Sequence, residues 1–245
     1  MSTHRTGANL AVRLFQWIGS HELAVLGALL GVALLIFGFV RLAALATGEG
    51  QLEIDARLLM ALREPEKPDD PLGPAWVEEA ARDITALGST TVLALLLIAA
   101  CCYLLLRQKW RTALFVLLAI LGGAAMSFFL KSGFDRPRPD LVAHQAQVFT
   151  SSFPSSHAMA SAVTFLTLGA LLARAEPSRR LKAYIMGTAA LLTLIVGASR
   201  VYLGVHWPSD VLAGWVAGAA WALAAWLLAR LLQSRRTLDE EPPED

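Results

Sequence analysis

Residues 112–139, TALFVLLAILGGAAMSFFLKSGFDRPRP, decide how the chain is read. The first part, 112–130, carries no charge and approaches the ~20 residues that cross a bilayer as a helix. The second part, 131–139, brings Lys131, Arg136 and Arg138 together with Pro137 and Pro139. A membrane span therefore ends in a boundary rich in ionisable groups. Working outward, apolar segments recur at about 23–40, 90–106, 158–173, 183–198 and 211–232. Several are short enough to need interfacial residues at their ends. Hydrophobic residues make up 56% of the 245 and charged residues only 17%, an apolar share above the ~45–50% of soluble domains. The expected fold is all-α: a polytopic membrane protein, one domain over 1–245, built as a bundle of six transmembrane helices.

A net charge of +1 excludes little, but the placement of charge is informative. Arg107, Lys109 and Arg111 form a purely basic connection, residues 174–182 carry four basic groups against Glu176, and Arg230, Arg235 and Arg236 open the tail. Basic connections stay on the cytoplasmic side. The segment 1–22, the tail and both termini are then cytoplasmic, and the odd-numbered connections lie outside. The acidic tail, about 233–245, is expected to be disordered. Ala44-Leu45-Ala46 resembles a signal-peptidase site, but the apolar run before it is longer than a signal core and Arg41 interrupts its end, so it reads as a span. Cys101 and Cys102, adjacent in an apolar segment, read as packing residues.

The first outer connection, about 46–89, is predicted to hold short amphipathic helices. Ile54, Leu58, Leu59 and Leu62 recur at helical spacing, residues 76–87 form a second candidate after Pro74, and 65–74 separates them. Both would lie along the outer surface, covering the bundle or admitting substrate.

Three boundary clusters then fall on one side of the membrane: residues 131–139, Phe153-Pro154-Ser155-Ser156-His157, and residues 199–210 with Ser199, Arg200, His206, Trp207 and Asp210. Together they suit a phosphate. Lys131, Arg138 and Arg200 can neutralise a tetrahedral dianion, arginine through its bidentate fork. Ser155 and Ser156 stand where a helix begins, and free N–H groups there favour an anion. Pro137 and Pro139 keep Arg138 in a loop. His206 and Asp210, four apart, would share a helical face with Pro208 in the first turn, so the carboxylate can hold one ring nitrogen and leave the other nucleophilic. His157 suits a general acid. Taken singly, each cluster could be an interfacial anchor or a helix-face pair; jointly they point to chemistry. Asp135 and Arg136 have no assigned role, His144 reads as a surface loop residue, and Trp207 as an interfacial or packing aromatic.

The joint pattern resembles the type 2 phosphatidic acid phosphatase (PAP2) superfamily. Lys131 with Arg138-Pro139 matches its first motif and Ser199-Arg200 with His206 and Asp210 its third. Pro154-Ser155-Ser156-His157 matches the second except that Ser156 replaces the usual glycine. The match spans about 131–210. It implies a six-helix bundle and a metal-independent, cofactor-free phosphatase acting on lipid phosphates or diphosphates through a phosphohistidine. His206 would be the nucleophile, His157 the acid and Asp210 the orienting carboxylate, with Lys131, Arg138, Ser155, Ser156 and Arg200 around the phosphate. Vanadate-dependent haloperoxidases share the pocket but are soluble, against the apolar spans here. Undecaprenyl-diphosphate hydrolysis and lipid phosphotransfer are the enzymatic alternatives, and an anion transporter the remote one. The bilayer and a lipid phosphate are the expected partners, and nucleic acid is not. Size and composition suggest a bacterial inner membrane with a periplasmic site.

Overall fold

Leu-, Ala- and Val-rich segments in hydrocarbon must satisfy their backbone groups internally, which selects helices. The computed structural model of the chain describes residues 5–46, 51–140 and 151–234. Its elements are α1 (Arg5–Ala46), α2 (Gln51–Met60), β1 (Arg63–Glu64), β2 (Lys67–Pro71), α3 (Ala75–Ala86), α4 (Thr90–Leu106), α5 (Trp110–Ser132), α6 (Ser156–Ala175), α7 (Arg179–Tyr202) and α8 (Pro208–Ser234). His144, most of the stretch 140–153 and the acidic tail from 235 lie outside the described residues.

Leu23–Ala46 of α1, all of α5, α6 and α7, and Pro208–Leu232 of α8 are long and apolar enough to span. The 17 residues of α4 reach about 25 Å, short of the ~30 Å hydrocarbon core. Together with α3, to which α4 is joined at a 48° bend, they make the sixth candidate span. α1 extends well before its apolar run, beginning at Arg5.

The centre of the bundle is α6, packed on α7 and α8 with α5 on a further side. α1 lies against α8, α4 against α5, and α3 against α7. Glycines permit the closest of these approaches. A Cβ on Gly214 would lie 2.7 Å from the Ser155 carbonyl oxygen, and one on Gly218 2.5 Å from Ala162 Cβ. Without Cβ atoms there, α8 presses onto α6 directly beneath the site.

The first outer connection differs from expectation in two respects. Residues 65–74 are not a plain break, since β1 and β2 pair antiparallel between the two helices. The inward face of α2 is also not the one its apolar spacing indicated. Ile54 and Leu58 are exposed, while Asp55 and Leu59 are buried. A carboxylate faces inward because its partners are inside, as the site makes clear.

Candidate active site

Helix ends and two loops bring the three clusters to one end of the bundle. α5 stops at Ser132, and Pro137 and Pro139 keep the following residues out of the helix. This stretch runs beside residues 151–155, with Ser152 N donating to the Arg136 carbonyl at 2.9 Å. Phe134 and Phe153 meet edge-to-face at 4.8 Å, and Phe39 of α1 closes on Phe153 at 5.8 Å. Trp207 Nε1 donates to the Pro137 carbonyl at 3.0 Å, tying this loop to the start of α8.

At the centre, His206 and Asp210 are almost wholly buried. His206 Nδ1 stands 3.4 Å from Asp210 Oδ2, and its Nε2 stands 3.3 Å from Arg138 Nη1. A guanidinium has donors only, so Nε2 must offer its lone pair and Nδ1 must carry the proton toward Asp210. Burial holds the imidazole pKa down at about 4, with Asp210 opposing the shift. The ring is neutral at neutral pH, with the Nε2 lone pair turned to Arg138. Burial likewise lowers the Arg138 pKa, again opposed by Asp210; this guanidinium also donates to the Val205 carbonyl at 2.9 Å.

The pair does not share a helical face. α8 begins at Pro208, so His206 precedes it. The chain reverses after α7 at Gly204, whose φ of 70° lies in the left-handed region. The N–H groups of Val205 and His206 then both return to the Arg200 carbonyl, at 3.0 and 3.3 Å.

The other expected residues gather around this centre. His157 lies in the first turn of α6, within the field of the cations Arg200, Lys131 and Arg138. Lys131 Nζ donates to Ser156 Oγ at 3.1 Å. Arg200 donates to Thr85 Oγ1 at 3.2 Å, and its buried Nε has no partner among the described residues. Ser155 is bound to the scaffold: its N–H donates to the Asp210 carbonyl at 3.0 Å, and its hydroxyl caps α6 by accepting from Ala158 N. It therefore fixes the helix end. Asp135 is exposed.

Sequence reasoning left Arg136 without a role and did not identify Ser152, Ser209 or Asp55. Arg136 is buried, bonded to Asp210 Oδ1 at 2.5 Å and Asp55 Oδ2 at 2.6 Å. Ser152 Oγ donates to Asp210 Oδ2. Trp207 is buried and packs beside Arg136, whose guanidinium carbon lies 5.8 Å from its ring centre.

The PAP2 superfamily model matches residues 112–233. The chain is 30% identical over 195 residues to phosphatidylglycerophosphatase B of Bacillus subtilis, covering 76% of this chain and 88% of that protein. A shorter match, 40% over 68 residues, covers 28% of this chain and 29% of an undecaprenyl-diphosphatase of Sulfolobus acidocaldarius. Among solved structures it superposes on the transmembrane PAP2-type phosphatidylglycerolphosphate phosphatase from Bacillus subtilis with a TM-score of 0.72 and 26% identity, over 82% of this chain and 96% of that one. Aquifex aeolicus LpxE follows with a TM-score of 0.51 and 25% identity, over 71% and 93%. On this likeness of sequence and fold, the chain belongs to the PAP2 superfamily, as a transmembrane phosphatase.

Proposed function

We propose that the protein hydrolyses lipid phosphates, with phosphate monoesters of glycerophospholipids as first candidates, through a phosphohistidine on His206. The observation that carries this reading is the imidazole held between Asp210 and Arg138, an arrangement that leaves the proton on Nδ1 and the lone pair on Nε2. Nε2 attacks phosphorus in line, and the bond from phosphorus to the leaving oxygen breaks. His157, protonated once the phosphate anion lies between it and the surrounding cations, hands that oxygen its proton, releasing an alcohol from a monoester or a phosphate from a diphosphate. His157 then takes a proton from water, whose oxygen attacks the phosphohistidine and frees His206 and inorganic phosphate. Lys131, Arg138 and Arg200 bear the equatorial charge, and the unspent Arg200 Nε is a donor suited to an anion.

These cations supply the stabilisation that a divalent ion gives in other phosphoryl-transfer sites. The central carboxylate, Asp210, is already engaged by Arg136, Ser152 and the Trp207 N–H. Hydrolysis should therefore persist in EDTA. The full-length relative acts, by its name, on phosphatidylglycerophosphate, which supports a monoester first; the shorter match keeps a polyprenyl diphosphate as the second substrate to try. The charge pattern supports an outer, periplasmic site with both termini inside.

The test is phosphate release by detergent-purified protein in EDTA, across lipid monoesters and diphosphates, beside His206→Ala and His157→Ala. Release that both substitutions abolish, with an acid-labile phosphoenzyme in wild type, supports the reading. Activity retained in His206→Ala removes the nucleophile. Product appearing only with an acceptor lipid assigns transfer instead of hydrolysis.

A further inference from the structure

α8 begins with an unmet requirement. Helices leave their first N–H groups without intrahelical partners, and an N-cap side chain normally accepts from the N–H two or three residues on. Here the residue before Pro208 is Trp207, which has no acceptor. Asp210 meets part of the need by reaching back, its Oδ2 accepting from Trp207 N at 2.9 Å, as in a capping box. The Ser209 N–H is met from outside the helix: Asp55 Oδ1, on α2, accepts from it at 3.0 Å.

The other oxygen of Asp55 is also engaged inside the protein. Oδ2 accepts from Ser209 Oγ at 2.5 Å and from Arg136 Nη2 at 2.6 Å. Arg136 donates its second terminal nitrogen, Nη1, to Asp210 Oδ1 at 2.5 Å and to Ser209 Oγ at 2.8 Å. Asp55, Arg136 and Asp210 are all almost fully buried. One guanidinium is thus shared between two carboxylates, one of which holds His206. Asp55 lies 154 positions from Ser209 in the chain and touches none of Lys131, Arg138, Arg200 or His157 in any hydrogen bond among the described residues.

We propose that Asp55 is a positioning residue for catalysis, carried into the site by the first outer connection, and that it acts through Arg136 to fix the Asp210 carboxylate and hence the orientation of His206. This rests on the phosphatase reading above. Removing the Asp55 charge leaves Arg136 to draw wholly on Asp210. That pulls the carboxylate from Nδ1 and loosens the first turn of α8, which carries both Ser209 and Asp210. The outer connection is then a working part of the active site as well as a cover.

Wild type, Asp55→Asn, Asp55→Glu, Arg136→Gln and the Asp55→Asn/Arg136→Gln pair are purified in detergent, checked for monodispersity and assayed on the lipid phosphate that wild type hydrolyses best. Asp55→Asn is expected to lower kcat by about 10–100-fold, the scale on which losing the outer partner that orients a metal ligand lowers activity. KM should stay within about twofold, because the phosphate-binding cations keep their contacts. Asp55→Glu, which keeps the charge, should recover part of the loss. The double variant should match Arg136→Gln alone within about threefold, the non-additivity of residues acting in series.

A kcat loss that multiplies in the double variant, an equal loss in Asp55→Glu and Asp55→Asn, or a kcat unchanged in folded Asp55→Asn each overturns the proposal. If Asp55→Asn does not stay monodisperse, the Asp55→Glu variant and the Arg136→Gln comparison decide. Absence of hydrolysis in wild type would fail the phosphatase reading itself, which this panel registers before any variant is compared.

Discussion

Arg138 Nη1 and His206 Nε2 lie 3.3 Å apart, a cation beside the nitrogen assigned to attack. The contact fixes the tautomer, because guanidinium cannot accept a proton from the ring. It also places positive charge where phosphate oxygens would arrive, so binding and nucleophile orientation share one side chain. Arg138→Lys keeps a charge but loses the fork. It should raise KM and lower kcat together in steady-state phosphate release, whereas a change confined to KM would mean that Arg138 only binds.

Asp210→Asn tests the tautomer. The amide could turn its NH₂ toward Nδ1, which would move the proton to Nε2 and remove the nucleophilic lone pair. A comparable change in a serine protease triad costs about 10⁴-fold in kcat. A loss of about 10³-fold or more is expected here for the same reason. The thermal midpoint should fall too, since Arg136 would keep only Asp55 as a charged partner. Asp210→Asn activity within tenfold of wild type would contradict the orientation argued for His206.

The pH profile has a defined sign. Folded His206 binds its proton only near pH 4, against about 6.5 for an unperturbed histidine. Between these values the unfolded chain holds more protons than the native one, so this group adds stability that is complete above 6.5 and is lost as pH falls through the window toward 4. On the same grounds the acidic limb that protonation of the nucleophile sets in kcat/KM, corrected for ionisation of the substrate phosphate, should lie near pH 4, with no fall between neutral pH and about 5. A limb centred near the unperturbed value would show that the ring is solvated.

Gly214→Ala tests the helix contact beneath the site. The added Cβ would meet the Ser155 carbonyl at 2.7 Å and Ala158 Cβ at 2.9 Å. Overpacking of this kind costs about 1–3 kcal/mol. Because Ser155 N bonds the Asp210 carbonyl, activity and thermal midpoint should fall together. Gly187→Ala, inside α7 with nothing within 4 Å of the new Cβ, should leave activity unchanged and keep or raise the midpoint, since alanine favours the helix.

Ser156→Gly removes the acceptor that holds Lys131 Nζ at 3.1 Å. A hydrogen bond to a charged group contributes about 1.5–3 kcal/mol at most, less where water can replace it. KM for the lipid phosphate should rise by about two- to tenfold on that scale, with kcat within twofold. An unchanged KM would mean that Lys131 finds its place without the hydroxyl.

The membrane class and the position of the reactive groups are legible along the chain without any fold. Apolar run length and the Lys131–Asp210 spacing are local properties, and a helix in hydrocarbon needs no distant partner to close its hydrogen bonds. The break at Pro137 and Pro139 and the use of Pro208 in a first turn were legible for the same reason. Which face of α2 turns inward, why Arg136 is buried, and that His206 reaches Asp210 from a loop before the helix follow instead from contacts between distant segments. Asp55 meets Arg136 across 81 positions, and a buried charge is stabilised by whatever partner the fold brings to it. Nothing in the residues next to Asp55 records that partner, so a carboxylate among the leucines of an outer helix read as surface until the bundle closed around it.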